Sequence, residues 1–350
     1  MPGRGEEPDA RYRHARSRIV PDMICAIAAY GRECANAAGT ASGKLRSRCE
    51  IRPAQPYIRH FWEEDRMNTI WSDHIQGVMT LYLSRKLRFH DLFSGQYKAL
   101  FSLDGGKDLK ILEIGCGPGA LAGALRRWYP RASITAIDRD SRFIDFARAN
   151  VEGVEFLEGD AAALPFEDGS VDVTISHTVC EHVPPDSFFA GQRRVLKEGG
   201  VCLVLSARRG VRHTADCLAM TEEERRFWEE VSAGDDTLEK YGVGKYHMTE
   251  QELPRVMEAY GFSRVSTGYA VADLTPDDPK YSPAMAGDMI NAGRYGQIEA
   301  LRSTRREQAS QLIDLVNRKY DERLALYRSG QKQWDTETSI TLVVRGVKEG

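Results

Sequence analysis

One short stretch of the chain limits the folds open to it more than any other feature. Residues 111–120 read ILEIGCGPGA, an apolar run that ends on an acid and three glycines. The apolar residues predict a strand buried on both faces, as in a parallel sheet. Gly115, Gly117 and Gly119 predict a tight turn whose bare backbone lets a ligand approach closely. Helix-forming residues follow, so the stretch predicts a strand, a glycine turn and a helix start, which is a nucleotide-binding arrangement.

The same turn leaves two kinds of nucleotide open. Gly115, Gly117 and Ala120 satisfy the pattern G-x-G-x-x-G/A of dinucleotide-binding proteins, which would make the ligand a nicotinamide or a flavin. Asp138 ends the second predicted strand, where a carboxylate can accept hydrogen bonds from both hydroxyls of a ribose. A dinucleotide and an adenosyl ligand fit these features equally well.

The composition argues against several other classes of protein. Lys and Arg total 48 against 51 Asp and Glu, so the formal charge of −3 gives no basic field for nucleic acid. No stretch approaches the ~20 apolar residues of a membrane-spanning helix. Seven cysteines, an odd number without a C-x-x-C pair, favour a reduced protein without disulfides or a zinc site. Residues 11–30 imitate a signal peptide, but Pro21 and Asp22 interrupt the apolar run, and we expect a cytoplasmic location.

Short apolar runs alternate with helical patterns between residues 109 and 206. This alternation predicts an α/β fold with right-handed crossovers and a doubly wound, mostly parallel, Rossmann-like sheet. Near the end of the chain, a helical segment with an apolar stripe is predicted over 285–328. The predicted divisions are a poorly ordered tail (1–50), an N-terminal helical lid (51–107), the ligand-binding core (108–207), a helical insertion that caps the substrate (208–249), the helix and sixth strand of the core (250–274), a second helical insertion (275–336) and the last core strand (337–350).

The third predicted strand distinguishes an adenosyl ligand from a dinucleotide. It runs into EGDAAALPFEDGSVDVTIS, which places Asp160 and Ala161 beside the crevice at the carboxyl end of the strand. The acid could accept from the exocyclic amine of adenine, and the neighbouring backbone N–H supplies the matching donor. Glu113, the glycine turn, Asp138 and the motif around Asp160 follow in an order that resembles the class I S-adenosylmethionine-dependent methyltransferases. The resemblance covers about residues 108–207 and is strongest to the small-molecule branch that includes the quinone C-methyltransferases.

The resemblance implies a fold, a cofactor and a set of binding residues. It implies seven strands with an antiparallel last strand, and S-adenosyl-L-methionine as the cofactor. The implied cofactor-binding residues belong to strand one and its turn, to the ends of strands two and three, and to the end of strand four: Glu113, Gly115, Cys116, Gly117, Gly119, Asp138, Arg139, Asp160, Ala161, Ser176 and His177. Structural roles stay open for three of them. Glu113 could cap the helix after the turn, Asp138 could cap the helix from Ser141, and Asp160 could be a turn residue.

Transfer of a sulfonium methyl group needs an acceptor atom held in line behind it, with no metal and no covalent intermediate. A base is needed only if the acceptor must lose a proton. His177, Glu181 and His182 follow strand four, where the crevice opens, and they are the candidate catalytic residues. Glu181 and His182 could instead cap and orient that loop.

The sequence therefore predicts an enzyme, an S-adenosylmethionine-dependent methyltransferase that acts on a small-molecule acceptor by in-line displacement. Two alternatives remain. One is an NAD(P)-dependent oxidoreductase, which the literal glycine pattern allows. The other is a non-catalytic adaptor that uses the 285–328 helix to dimerise or to bind a partner. The acceptor, the methylated atom and the oligomeric state, a homodimer included, stay open, and no nucleic-acid partner is expected.

Overall fold

A computed structural model describes residues 71–233 and 235–350; the predicted tail and the first part of the predicted lid lie outside the described residues. A π-helical turn, Trp71–Ile75, comes first. The α-helices are α1 Val78–Arg88, α2 Ser94–Phe101, α3 Ala120–Trp128, α4 Ser141–Asn150, α5 Pro185–Val195, α6 Glu222–Ser232, α7 Thr237–Lys240, α8 Glu252–Ala259, α9 Pro283–Ser303 and α10 Ala309–Arg328. The strands are β1 Lys110–Ile114, β2 Ser133–Asp138, β3 Glu155–Glu158, β4 Val171–His177, β5 Leu196–Arg208, β6 Arg212–His213, β7 Phe262–Leu274 and β8 Thr336–Lys348.

The strands form one sheet in the order β3-β2-β1-β4-β5-β8, and β7 pairs with the other side of β8. Strands β1 to β5 run parallel, whereas β8 lies antiparallel between β5 and β7. The predicted doubly wound sheet with an antiparallel last strand is therefore confirmed. The two residues of β6, which pair with the start of β8, make the sheet eight-stranded instead of seven-stranded.

Each face of the sheet is covered by its own hydrophobic core. Successive side chains of a strand point to opposite faces, and along β1 Ile111 packs into one core while Leu112 and Ile114 pack into the other. The first core contains side chains from α1, α2, α3 and α9, and the second contains side chains from α5 and α8. The alternation places Glu113 on the face covered by α1, which becomes important at the ligand site.

The predicted single helix over 285–328 is wrong, because the structure contains two helices there. Helices α9 and α10 are separated by residues 304–308, where Arg305 has a φ of 51°. The two helices pack against each other and against α6, so that most of the predicted apolar stripe is buried inside the protein. Arg323 of α10 is buried and forms ion pairs with Asp277 and Asp335, which tie this insertion to the start of β8.

Two α-helices of the predicted lid, α1 and α2, are described, and α2 packs against β7 and β8. Helix α1 packs against α3, α4 and α9 and so lies over the carboxyl ends of the central strands. Its Leu81 and Arg85 are buried. No helix within residues 71–233 and 235–350 has both the length and the apolar character needed to cross a membrane.

Candidate ligand-binding site

A cleft opens at the carboxyl ends of β1, β2, β3 and β4, with an empty volume of about 630 Å³. Its walls come from the glycine turn after β1, the turns after β2 and β3, the loop after β4, and the segment that contains the π-helical turn and α1. In a doubly wound sheet, this edge is where ligands bind.

Two of the three glycines in the turn line the cleft. Gly115 and Gly117 have φ values of 67° and 54°, a region in which residues with a side chain are strained. A Cβ at Gly115 would overlap Val179, and one at Gly117 would lie 2.8 Å from Nη1 of Arg85. Only glycine therefore fits where the other walls approach the turn.

Gly119 and Cys116 lie behind the turn and do not line the cleft. A Cβ at Gly119 would lie 3.0 Å from Ala147 and from Phe156, so this glycine allows α3 to start close to α4 and β3. Cys116 is fully buried, and its burial raises the pKa of the thiol well above its ordinary value. Their predicted contact with the cofactor stays a prediction that their positions do not favour.

Asp138 lines the cleft and also organises the turns around it. Its Oδ2 accepts a hydrogen bond from Gly117 N at 2.8 Å, and its Oδ1 accepts one from Asp140 N at 2.9 Å. The alternative that Asp138 caps the following helix is wrong, because Asp140 caps α4 by accepting from the backbone N–H groups of Arg142 and Phe143. Arg139 also lines the cleft.

Asp160 and Ala161 line the end of the cleft beside β3. Oδ1 of Asp160 accepts a hydrogen bond from Ala162 N at 2.8 Å, so this residue also stabilises its own turn. A carboxylate has further lone pairs. The turn role therefore leaves an acceptor free for a ligand.

Glu113 is buried beneath the cleft and does not line it. Its Oε2 has no hydrogen-bond partner among the described residues, and burial raises the pKa of the carboxyl group to about 8, while the nearby Arg85 opposes this rise. The alternative that Glu113 caps the helix after the turn is wrong. Gly119 is the N-cap residue of α3, and no side chain makes a cap hydrogen bond there.

Strand β4 extends one residue further than predicted, and this moves two predicted residues away from the ligand. Ser176 and His177 are fully buried inside the sheet, and neither lines the cleft. Nε2 of His177 lies 3.0 Å from Nη1 of Arg88, and its ring packs edge-on against Phe89. The roles predicted for these two residues stay predictions without a contact to support them. Thr178 and Val179, the next two residues, line the cleft instead.

Of the two other candidate catalytic residues, only His182 reaches the cleft. Glu181 is buried and accepts hydrogen bonds from the hydroxyl of Ser206 and, at 3.4 Å, from the thiol of Cys180. The imidazole of His182 packs edge-on against Trp71, with ring centroids 4.6 Å apart. Its burial lowers the pKa of the imidazole to about 4.

Trp71, an aromatic residue of the predicted lid, lines the cleft, and so do Leu81 and Arg85, which were missed in the sequence. The guanidinium of Arg85 lies over Gly117, and its Nη2 donates to the hydroxyl of Thr178 at 2.8 Å. Burial lowers the pKa of Arg85 to about 10, so the group is still charged at neutral pH. A signal was present: Arg85 follows Leu81 by four residues and so shares the apolar face of α1.

The fold and the cleft together define an α/β protein with a doubly wound sheet, in which two glycines of the turn, Asp138 and Asp160 line one crevice. Residues 112–204 match the family model described as a methyltransferase domain. This part of the chain is therefore a methyltransferase domain, and the predicted resemblance to class I S-adenosylmethionine-dependent methyltransferases is confirmed.

Curated relatives agree with this family. The chain is 39% identical over 103 residues to a fatty-acid O-methyltransferase of Mycolicibacterium smegmatis, covering 28% of this chain and 37% of the relative. It is 27% identical over 203 residues to an uncharacterised 37.1 kDa protein in transposon TN4556 of Streptomyces fradiae, covering 55% and 53%. It is 34% identical over 105 residues to the ubiquinone/menaquinone biosynthesis C-methyltransferase of Campylobacter jejuni, covering 28% and 45%. The chain thus spans about half or less of the length of these relatives.

Proposed function

We propose that the protein is an S-adenosylmethionine-dependent methyltransferase that transfers a methyl group to a small-molecule acceptor. The observation that carries this proposal is the cleft in which the glycine turn, Asp138 and Asp160 meet on the methyltransferase domain. Two of the relatives are named for methyl transfer to small molecules, which supports the same class of acceptor here.

The residues of the cleft fit S-adenosylmethionine. Asp138 would hold the ribose hydroxyls, and Asp160 with Ala161 would hold the adenine ring. The bare backbone at Gly115 would allow close approach of the ligand. Arg85, which is charged and lies over the glycine turn, would pair with the carboxylate of the methionine portion. The bound cofactor supplies an activated methyl group, and the task of the chain is to orient it and exclude water.

We further propose a cytoplasmic protein. The cysteines of the described residues are free, which agrees with a reducing compartment. The adaptor alternative loses its main support, because α9 and α10 bury their apolar faces against each other and against α6. The apolar stripe predicted over 285–328 was the reason to expect a partner or a homodimer there.

Calorimetric titration tests the proposal against the oxidoreductase alternative. The purified protein is titrated with S-adenosylhomocysteine and, in parallel, with NAD(H). We expect binding of S-adenosylhomocysteine and no binding of NAD(H), and binding of NAD(H) alone would contradict the proposal. Incubation with methyl-labelled cofactor and a cell extract, followed by mass spectrometry, then identifies the acceptor.

A further inference from the structure

The imidazole of His182 is held at the mouth of the cleft by a segment distant in sequence. The backbone N–H of Gly244 donates a hydrogen bond to Nδ1 of His182 at 2.9 Å. A second hydrogen bond, from Tyr246 N to the carbonyl oxygen of Glu181, joins the same two segments at 2.9 Å. Trp71 packs against the ring from a third segment. The orientation of the imidazole is therefore fixed from several sides.

This geometry determines which ring nitrogen carries the proton. Because a backbone N–H can only donate, Nδ1 of His182 must be the unprotonated nitrogen. A neutral imidazole carries one proton, and that proton is then on Nε2. The lone pair of the ring is already used by Gly244, so His182 presents a donor and has no free acceptor.

The surroundings keep the imidazole neutral. Burial lowers the pKa of His182 to about 4, Glu181 opposes this, and the positive charges of Arg85 and Arg139 add to it. Two other charged groups on the packed segments have partners of their own. Asp73 is ion-paired with Arg142, and the ammonium group of Lys245 lies over the ring of Tyr246.

The strand order indicates which part of the cofactor lies near His182, given the proposed function. The cleft runs across the sheet from β3 through β2 and β1 to β4. If Asp160 holds the adenine beside β3 and Asp138 holds the ribose beside β2, the sulfonium end lies at the loop after β4. His182 and Thr178 belong to that loop.

The titratable groups that line this end of the cleft are donors. Arg85 and His182 are the titratable side chains there, among the residues that the structure describes, and neither has a lone pair available for a proton. The carboxylates that line the cleft, those of Asp138 and Asp160, belong to the ribose and adenine end. Such an arrangement stabilises an acceptor oxygen that is already negative, and it gives no help to one that must first lose a proton.

We propose that His182 donates its Nε2–H to the methyl acceptor and that the acceptor is a carboxylate. One oxygen of the carboxylate supplies the electron pair of the new O–CH₃ bond, and the S–CH₃ bond breaks with its electron pair remaining on sulfur. The products are a methyl ester and a neutral thioether. No proton is transferred, so no base is required, and His182 acts by positioning the carboxylate.

The tautomer can be tested without any turnover. Nitrogen-15 spectra of histidine-labelled protein distinguish the two ring nitrogens, and the H182Q variant identifies the signal of His182. We expect protonated Nε2, unprotonated Nδ1 and no titration of this ring between about pH 6 and 9. A proton on Nδ1, or a ring that titrates in this range, would overturn the inference.

Substitutions of His182 distinguish a hydrogen-bond donor from a general base. H182F lacks both ring nitrogens, and we expect a roughly 10- to 150-fold loss of kcat/KM, the effect of one hydrogen bond to a charged group. H182Q keeps an amide oxygen for Gly244 and an N–H for the acceptor, so we expect it to recover most of this loss although it cannot act as a base. The control is H247Q, because His247 is an exposed histidine in the same segment as Gly244. Equal loss in H182Q and H182F, with a wild-type rate that rises with pH, would contradict the donor role.

The chemistry of the acceptor is read from the labelled product. The full chain is incubated with methyl-labelled S-adenosylmethionine and a small-molecule extract, and the product fraction is treated with base. Methyl esters release their label as volatile methanol, whereas ethers, N-methyl and C-methyl products keep it. Base-labile label supports the inference. Base-stable label overturns it and leaves the proposed function intact, whereas failure to bind S-adenosylhomocysteine contradicts both.

Discussion

The carboxylate of Asp138 accepts a hydrogen bond from the backbone N–H of Gly117, with Oδ2 and N 2.8 Å apart. This bond joins the end of β2 to the glycine turn after β1, so the acid proposed to bind the ribose also fixes the turn proposed to meet the rest of the cofactor. A single side chain thus couples two parts of the cleft. Substitutions here are expected to change ligand affinity and local structure together.

Replacement of Asp138 should weaken cofactor binding severely. D138A removes a charged acceptor from the ribose and frees Gly117 N and Asp140 N, so we expect at least a roughly 100-fold loss of affinity for S-adenosylhomocysteine. D138N, which keeps one oxygen, should lose less. Isothermal titration calorimetry measures both, with D145A, at a partly exposed position of α4, as the control. Unchanged affinity in D138A would show that the ribose assignment is wrong.

A methyl group at Gly115 should lower stability and ligand binding by more than the strain of its backbone conformation alone would. G115A would place a Cβ against Val179 at a φ of 67°, and we expect about 2–4 kcal/mol lower stability and loss of S-adenosylhomocysteine binding. Gly169 is the matched control, because its φ is 62° but a Cβ there would meet no atom within 4 Å. G169A should cost about 1 kcal/mol and keep binding. If G115A and G169A lower the free energy of unfolding in urea equally, the steric contact with Val179 is not the cause.

Glu113 should make the stability of the protein depend on pH. Because burial raises the pKa of its carboxyl group from 4.5 to about 8, the folded chain keeps a proton that the unfolded chain releases above pH 4.5. The resulting stability is fully present below pH 4.5 and decreases as the pH rises towards 8, by up to about 1.4 kcal/mol per pH unit. E113Q should lack this decrease. Urea denaturation of both proteins at several pH values checks it, and parallel pH curves would contradict the prediction.

Two glycines of α9 should respond to alanine in opposite directions. A Cβ at Gly293 would overlap the hydroxyl of Tyr320, which accepts a hydrogen bond from Gln297 at 3.0 Å. G293A should therefore lower the free energy of unfolding by about 1–3 kcal/mol. A Cβ at Gly287 meets nothing within 4 Å, and G287A should raise it by about 0.5–1 kcal/mol. If thermal and urea unfolding show the same sign for both variants, the packing of α9 on α10 differs from the one described.

Predictions that depend on neighbouring residues succeeded more often than those that depend on contacts between residues distant in sequence. The strands and the glycine turn were predictable because alternation, apolar runs and glycine content are local properties of the chain. The end of β4 was misplaced because it depends on pairing with β5, which continues to His177 opposite Leu205. Ser176 and His177 were therefore predicted at the ligand, where Thr178 and Val179 lie. The break between α9 and α10 was missed although residues 302–308 contain no apolar residue and so interrupt the predicted stripe.

The sequence by itself determined the class of fold, the glycine turn and the acids at the ends of β2 and β3, because each depends on a few neighbouring residues and on their place relative to a strand. Only the tertiary structure decided which distant side chains complete the cleft. It brought Arg85 over the turn, buried Glu113 beneath it and set Gly244 against His182. Charge state, tautomer and exposure are properties of the packed surroundings, and a linear sequence does not contain those surroundings.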